Sequence, residues 1–198
     1  MRHRPWKIAL PLALGIGLLI GGLAVFQPFA AQSENSGGGG EIALPEWAQV
    51  ELIDAVSGEV FRIADYAGKP ILVESFAVWC STCLRQQKEM ARLIELTGDD
   101  IVHISLDTDP NEDLDKVRDH ALRNWFSWLY AVAPIDMTRA LIDEFGLTVV
   151  NAPRAPVILI EADGSARLLP NGVKTAEALI EEIGELPGSD DKEGAEAS

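Results

Sequence analysis

The chain has 198 residues, 47% of them hydrophobic and 24% charged, with a formal net charge of −15. That length holds one domain of ordinary size and leaves no room for two large catalytic domains. The chain is too apolar for intrinsic disorder, and its excess of acid argues against nucleic acid as a partner, because a polyanion is repelled by such a surface. Two cysteines are too few for a disulfide-stapled scaffold or a four-thiolate zinc site.

Residues 1–7 carry Arg2, Arg4 and Lys7 and read as a basic cytoplasmic N-terminus. The uncharged run 8–26 has nineteen residues, just enough for a transmembrane helix acting as a signal anchor. The first 40 residues hold three cations against Glu34, a net +2, so the remainder carries −17. A cleavable signal peptide is the rival reading, but a cut after Ala31 places bulky Phe29 where a small residue is wanted. Either way the domain is expected outside the cytoplasm. Residues 27–42, with the Ser33–Gly40 stretch SENSGGGG, read as a flexible linker. Residues 43–187 form the folded domain, and 188–198 form an acidic, disordered tail.

Within the domain, the run from Ile71 to Val78 follows Gly68-Lys69-Pro70 and predicts a buried central strand. Leu84, Ala91 and Ile94 share one face of a helix after the cysteines. Residues 101–106 predict a second buried strand. Asp109-Pro110-Asn111-Glu112 reads as a helix start, with Leu114, Val117, Ala121 and Trp125 on its inner side. Asp136 is a candidate cap for a helix that turns Met137, Leu141 and Phe145 inward and ends at Gly146. Residues 157–162 and 166–169 predict a hairpin around Asp163-Gly164, and Thr175 caps a last helix that buries Leu179 and Ile183. Strands alternating with helices give an α/β fold with helices on both faces of the sheet.

Trp79-Cys80-Ser81-Thr82-Cys83 lies between the strongest strand and a helix. A helix N-terminus offers free N–H groups and the positive end of the dipole, which stabilise a thiolate on Cys80. The two-residue spacing lets Cys83 attack a mixed disulfide formed by Cys80. Metal binding is the competing reading, but two thiolates without a placed histidine leave a tetrahedral shell unfilled. His3 precedes the apolar run, and His103 and His120 read as surface or packing residues. A purely structural bridge closes too small a loop to stabilise much. Redox chemistry is the reading that remains, with no metal and no cofactor.

Gly68-Lys69-Pro70, Phe76-Ala77-Val78-Trp79-Cys80-Ser81-Thr82-Cys83, and Ala155-Pro156-Val157-Ile158-Leu159-Ile160 closing on Asp163-Gly164 together resemble a thioredoxin fold. The whole chain resembles the membrane-tethered thioredoxin-like reductases of the TlpA and cytochrome c biogenesis type. That resemblance implies a central mixed β-sheet flanked by helices. It implies that Pro156 is a cis-proline which, with Ala155, faces the cysteines and aligns a substrate strand; Pro153 is the rival. Glu74, six positions before Cys80, stands where thioredoxin carries a buried aspartate. Burial there should raise its pKa and let it relay a proton to or from Cys83. Trp79 is expected beside the thiols, limiting access, with a plain core position as the alternative. Thr82 replaces the proline common before the second cysteine, and Gln86 stands where the cytochrome-maturation reductases often carry glutamate.

The expected function is therefore an extracytoplasmic thiol-disulfide oxidoreductase, single-pass in the cytoplasmic membrane, that reduces client disulfides. Its expected partners are client proteins with disulfides or thiols, among them apocytochromes, and a transmembrane electron donor. The alternatives are a disulfide-forming oxidase, a copper-binding metallochaperone module, and an acidic interaction module with idle thiols.

Overall fold

The computed structural model describes residues 42–184; the basic N-terminus, the run 8–26, nearly all of the linker and the acidic tail lie outside the described residues. Among the described residues, no helix is long and apolar enough to cross a membrane. Two short strands, β1 (Leu52–Ile53) and β2 (Val60–Phe61), pair antiparallel ahead of the main sheet. There follow β3 (Ile71–Phe76), α1 (Ser81–Thr97), β4 (Val102–Asp107), α2 (Leu114–Arg123), β5 (Leu129–Val132), α3 (Ile135–Phe145), β6 (Val157–Ile160), β7 (Ala166–Leu168) and α4 (Ala176–Ile183). The main sheet has the order β5-β4-β3-β6-β7, with β3, β4 and β5 parallel and β6 and β7 antiparallel.

All six residues of β3 are buried, because helices cover both faces of the sheet at its centre. Ile71 and Val73 turn to one face and pack with Ile104, Leu106, Ile158 and Met137 and Leu141 of α3. Leu72 turns to the other face, among Met90 and Leu93 of α1 and Leu179 and Ile183 of α4. Phe76, on that same second face, meets Cys80, Cys83, Val117, Ala121 and Tyr130. Each fully buried Leu or Met of this kind contributes about 1.5–3 kcal/mol. Side chains alternate along a strand, so Glu74 falls between Leu72 and Phe76, on the face that carries the cysteines.

Several local expectations change. The inward stripe of α1 is Cys83, Gln86, Gln87, Met90 and Leu93, while Leu84, Ala91 and Ile94 are half-buried flanks. Two glutamines hold the centre of that stripe: Gln86 is bonded at both ends of its carboxamide to the Lys174 backbone and Gln87 through its Oε1 to His120, which hydropathy alone does not register. Asp109 starts no helix; its Oδ1 accepts the Asn111 N–H at 2.9 Å in a local turn, and Asp113 caps α2 through the Lys116 N–H at 2.9 Å. With α2 ending at Arg123, Trp125 leaves the helical period: it is 92% exposed at φ 58°, and Phe126 takes the inner place. Asp136 sits inside the first turn of α3, whose N-cap is Pro134, and Phe145 is only half-buried. Thr175 does cap α4, through the Ala178 N–H at 3.2 Å. Gly164 turns the β6–β7 hairpin at φ 92°, where a Cβ would stand 2.8 Å from the Ala43 carbonyl oxygen, so only glycine suits both the turn and the close approach.

Candidate active site

After β3 the chain runs through Ala77-Val78-Trp79 into Cys80, the N-cap of α1. Cys80 and Cys83 are joined in a disulfide, with Cα atoms 5.3 Å apart. The Cys83 backbone N–H, one of the four donors that the helix start leaves free, points at Cys80 Sγ at 3.1 Å. In the reduced protein that donor and the dipole favour a thiolate on Cys80. Cys83 Sγ lies 3.2 Å from the Ala152 carbonyl oxygen, to which its thiol can donate once the bridge opens. Cys80 is 3% exposed and Cys83 is wholly buried. Both residues are therefore buried, and Cys80, expected to be the exposed thiol, keeps only a narrow opening to solvent. Alkylation of the reduced protein at mildly acidic pH, mapped by mass spectrometry, should label Cys80 well before Cys83; preferential labelling of Cys83 would reverse the roles.

Glu74 is fully buried. Its neighbour across the parallel pairing is Ser105, whose hydroxyl donates to Oε2 at 3.1 Å, while Oε1 has no hydrogen-bond partner. Burial raises its pKa to about 8; the Gln87 carboxamide, the Ser105 hydroxyl and the charge of Lys174 oppose that rise without cancelling it. Glu74 lies in the buried strand as expected, and the cation that acts on it, Lys174, lies a hundred residues along the chain, where spacing around Glu74 gives no sign of it. Gln87 Oε1 is 2.7 Å from His120 Nε2, which links α1 to α2 behind the thiols. Burial depresses His120, and takes His103 down to about 4, so both rings are neutral packing residues rather than surface ones. Burial, with Glu74 nearby, raises the Tyr130 hydroxyl.

The segment facing the cysteines is Ala152–Arg154, a single 3-10 turn, followed by Ala155 and Pro156. No peptide bond among the described residues is cis, so the Ala155–Pro156 bond is trans, contrary to the expectation from the resemblance. The chain changes direction at Ala155 instead, which takes the left-handed region at φ 48°. Ala155 and Pro156 are both buried, and the Pro156 carbonyl accepts the Ser75 N–H at 3.1 Å, fastening the segment to β3. Pro153 is the exposed proline of the segment.

Beside the thiols opens a groove of about 620 Å³ lined by Ala77, Trp79, Thr108, Asp109, Ala152 and Pro153. Trp79 is 63% exposed and forms part of its wall, so it is no core aromatic. Its indole N–H donates to Asp109 Oδ2 at 2.7 Å, which holds the Asp109 carboxyl below its ordinary range. The Val78 N–H donates to Glu112 Oε2 at 2.7 Å. The acids read as a helix start therefore fasten the two residues leading into Cys80. Beneath them Asp107 is fully buried, and burial together with the adjoining Glu112 raises it to about 8.

The redoxin family profile matches residues 42–174, two thirds of the chain. The chain belongs to the redoxin family. Among solved structures this redoxin is similar to a secreted Mycobacterium tuberculosis disulfide oxidoreductase homologous to E. coli DsbE, at 14% identity and a TM-score of 0.56, covering 70% of this chain and 96% of that one. It is also similar to a thioredoxin-family thiol:disulfide interchange protein from Chlorobium tepidum TLS, at 19% identity and a TM-score of 0.56, covering 68% and 90%. A third is the exposed lipoprotein thioredoxin Etrx1 of Streptococcus pneumoniae TIGR4, at 20% identity and a TM-score of 0.50, covering 68% and 96%. At these identities the likeness establishes the thioredoxin-like α/β fold. No curated relative matches the chain.

With a Cys80–Cys83 pair at the entrance of α1, the redoxin is a thiol-disulfide oxidoreductase of thioredoxin type. The site can form a mixed disulfide at Cys80, resolve it with Cys83, and hold a proton at Glu74.

Proposed function

We propose that this redoxin is a membrane-tethered reductase of polypeptide disulfides outside the cytoplasm, with apocytochromes among its candidate clients. The observation that carries the reductive direction is the burial of both sulfurs among Phe76, Phe126, Tyr130 and Ala152, on the same sheet face as the Glu74 carboxyl. Apolar surroundings disfavour a thiolate more than a neutral disulfide, so the dithiol is pressed to give up its two electrons. In the forward step the Cys80 thiolate attacks one sulfur of the client disulfide and the other leaves as a thiolate. Cys83 then attacks Cys80 Sγ as its proton passes to the ionised form of Glu74, which hands it to the departing client sulfur. The first client thiolate takes a proton from water, and the Cys80–Cys83 bridge forms. Two electrons have passed to the client. Because the chain has only these two cysteines, a dithiol partner must return the electrons, supplied across the membrane in an oxidising compartment.

The tether is supported by Arg2, Arg4 and Lys7 ahead of the nineteen apolar residues 8–26. An oxidase is the second reading, favoured by the placement of Cys80 at a helix N-terminus, which stabilises the reduced form. The reduction potential separates the two. A reductase should equilibrate with glutathione near the thioredoxin value of about −270 mV or below, whereas a value near −120 mV would mark an oxidase. In cells stripped of any outer wall, added protease should digest the domain; its recovery intact as a soluble cytoplasmic protein would refute the tether.

A further inference from the structure

Lys174 lies in the loop before α4, and only 8% of its surface reaches solvent. Its ammonium donates to three main-chain carbonyls: Ala155 at 2.7 Å, Gly172 at 2.7 Å and Pro170 at 3.1 Å. Among the described residues it forms no ion pair with a carboxylate. A buried ammonium is costly, and burial takes Lys174 down to about 8 against the opposing charges of Glu74 and Glu182. A residue serving only to fill this space would be apolar, so the three directed hydrogen bonds call for a reason.

The bonds lead to the thiols from two sides. Gln86, on α1 between Cys83 and Met90, grips the Lys174 backbone with both ends of its carboxamide. Its Oε1 accepts the Lys174 N–H at 2.7 Å and its Nε2 donates to the Lys174 carbonyl at 3.1 Å. The Lys174 ammonium in turn holds the Ala155 carbonyl, next to Pro156, while the Gly172 N–H holds the Arg154 carbonyl at 2.8 Å. The far end of the same segment is Ala152, whose carbonyl faces Cys83 Sγ. Ala155 itself sits in the left-handed region at φ 48°, which a side chain disfavours and which needs outside support.

We infer that Lys174 is a positioning residue of the exchange site: with Gln86 it ties the Ala152–Pro156 segment to α1 and so fixes the wall against which a client strand meets Cys80. The inference rests on the reading of the clients as polypeptides. A small disulfide reagent needs only the sulfur, whereas a polypeptide needs the wall as well.

The test uses the reduced full-length chain with two probes, insulin as the polypeptide disulfide and Ellman's reagent as the small one. In Lys174→Met the rate constant with insulin should fall by at least ~10-fold, with that for Ellman's reagent nearly unchanged, since displacing a contact wall by a fraction of an ångström is enough for such a loss. Amide exchange should quicken at Ser75 and Gly172, whose N–H groups bond to Pro156 and Arg154. Lys174→Arg keeps charge and donors but, being planar, cannot aim at all three carbonyls, so its loss should be smaller and equally confined to insulin. If Lys174→Met does not fold, the arginine variant alone decides. Equal losses on both probes, or no selective loss with unchanged exchange at Ser75 and Gly172, would overturn the inference. A wild-type protein that reacts with Ellman's reagent but not with insulin would instead overturn the polypeptide-client reading, and the amide exchange would still judge Lys174.

Discussion

Replacing Cys80 by serine is expected to abolish disulfide exchange while leaving the fold nearly as stable as before. A hydroxyl cannot form the mixed disulfide, and Cys83, wholly buried against Ala152, has no route of its own to a client. The structural cost is small for two reasons. The Cys80–Cys83 bridge closes only a three-residue separation, which removes little entropy from the unfolded chain. Serine is also a favoured N-cap, and its oxygen can accept the Cys83 N–H that Cys80 Sγ now receives. Activity with an insulin disulfide should therefore drop to the background rate, and the denaturation midpoint should move little. A variant that lost both in step would mean that the bridge is structural.

Glu74→Gln is expected to slow exchange most at pH 8 and above, by roughly 10²-fold, because there the carboxyl is ionised and can accept the Cys83 proton. It should also stabilise the fold, by about 1 kcal/mol or more at pH 8, because it removes a carboxyl with one oxygen left unpartnered in the interior. The sign of the pH dependence follows from the raised pKa. In the folded protein Glu74 keeps its proton up to about 8, against an ordinary value of 4.5. Between those values the folded state binds the proton and the unfolded state does not, so stability falls as pH rises through that window. The destabilisation is absent below the lower value and complete above the upper one. Glu74→Gln should flatten this slope. Asp107, raised to about 8 as well, should keep part of it, and Asp107→Asn should remove that remainder. Urea denaturation at pH 5, 6.5 and 8 measures both effects. Parallel curves for wild type and Glu74→Gln, together with an unchanged exchange rate, would show that the carboxyl neither titrates there nor serves Cys83.

Much of this arrangement was legible because it rests on short-range rules. The apolar run holding β3, the cysteines directly after it, and the Thr175 and Gly146 boundaries need only burial, capping and glycine geometry. Glu74 stood out as an acid within a strand buried on both faces, and both its burial and its direction of titration followed. What stayed hidden depends on distant partners. Gln86 and Gln87 look like surface residues until Lys174 and His120 are brought to them. Asp109 and Glu112 look like a helix start until Trp79 and Val78 supply better donors. Trp125 was misplaced because the helical period was carried past the end of α2. At Ala155–Pro156 the expected cis bond is absent among the described residues, and Ala155 takes the left-handed region at φ 48°.

The assignment of Cys80 as attacking thiol and Cys83 as resolving thiol is tested most directly by trapping. With Cys83→Ser, the reduced protein incubated with insulin should accumulate as a covalent adduct. Peptide mapping should place the new disulfide on Cys80, and dithiothreitol should release it. In Cys80→Ser no adduct should form. An adduct on Cys83 in the Cys80→Ser protein, with none on Cys80 in the Cys83→Ser protein, would contradict the account.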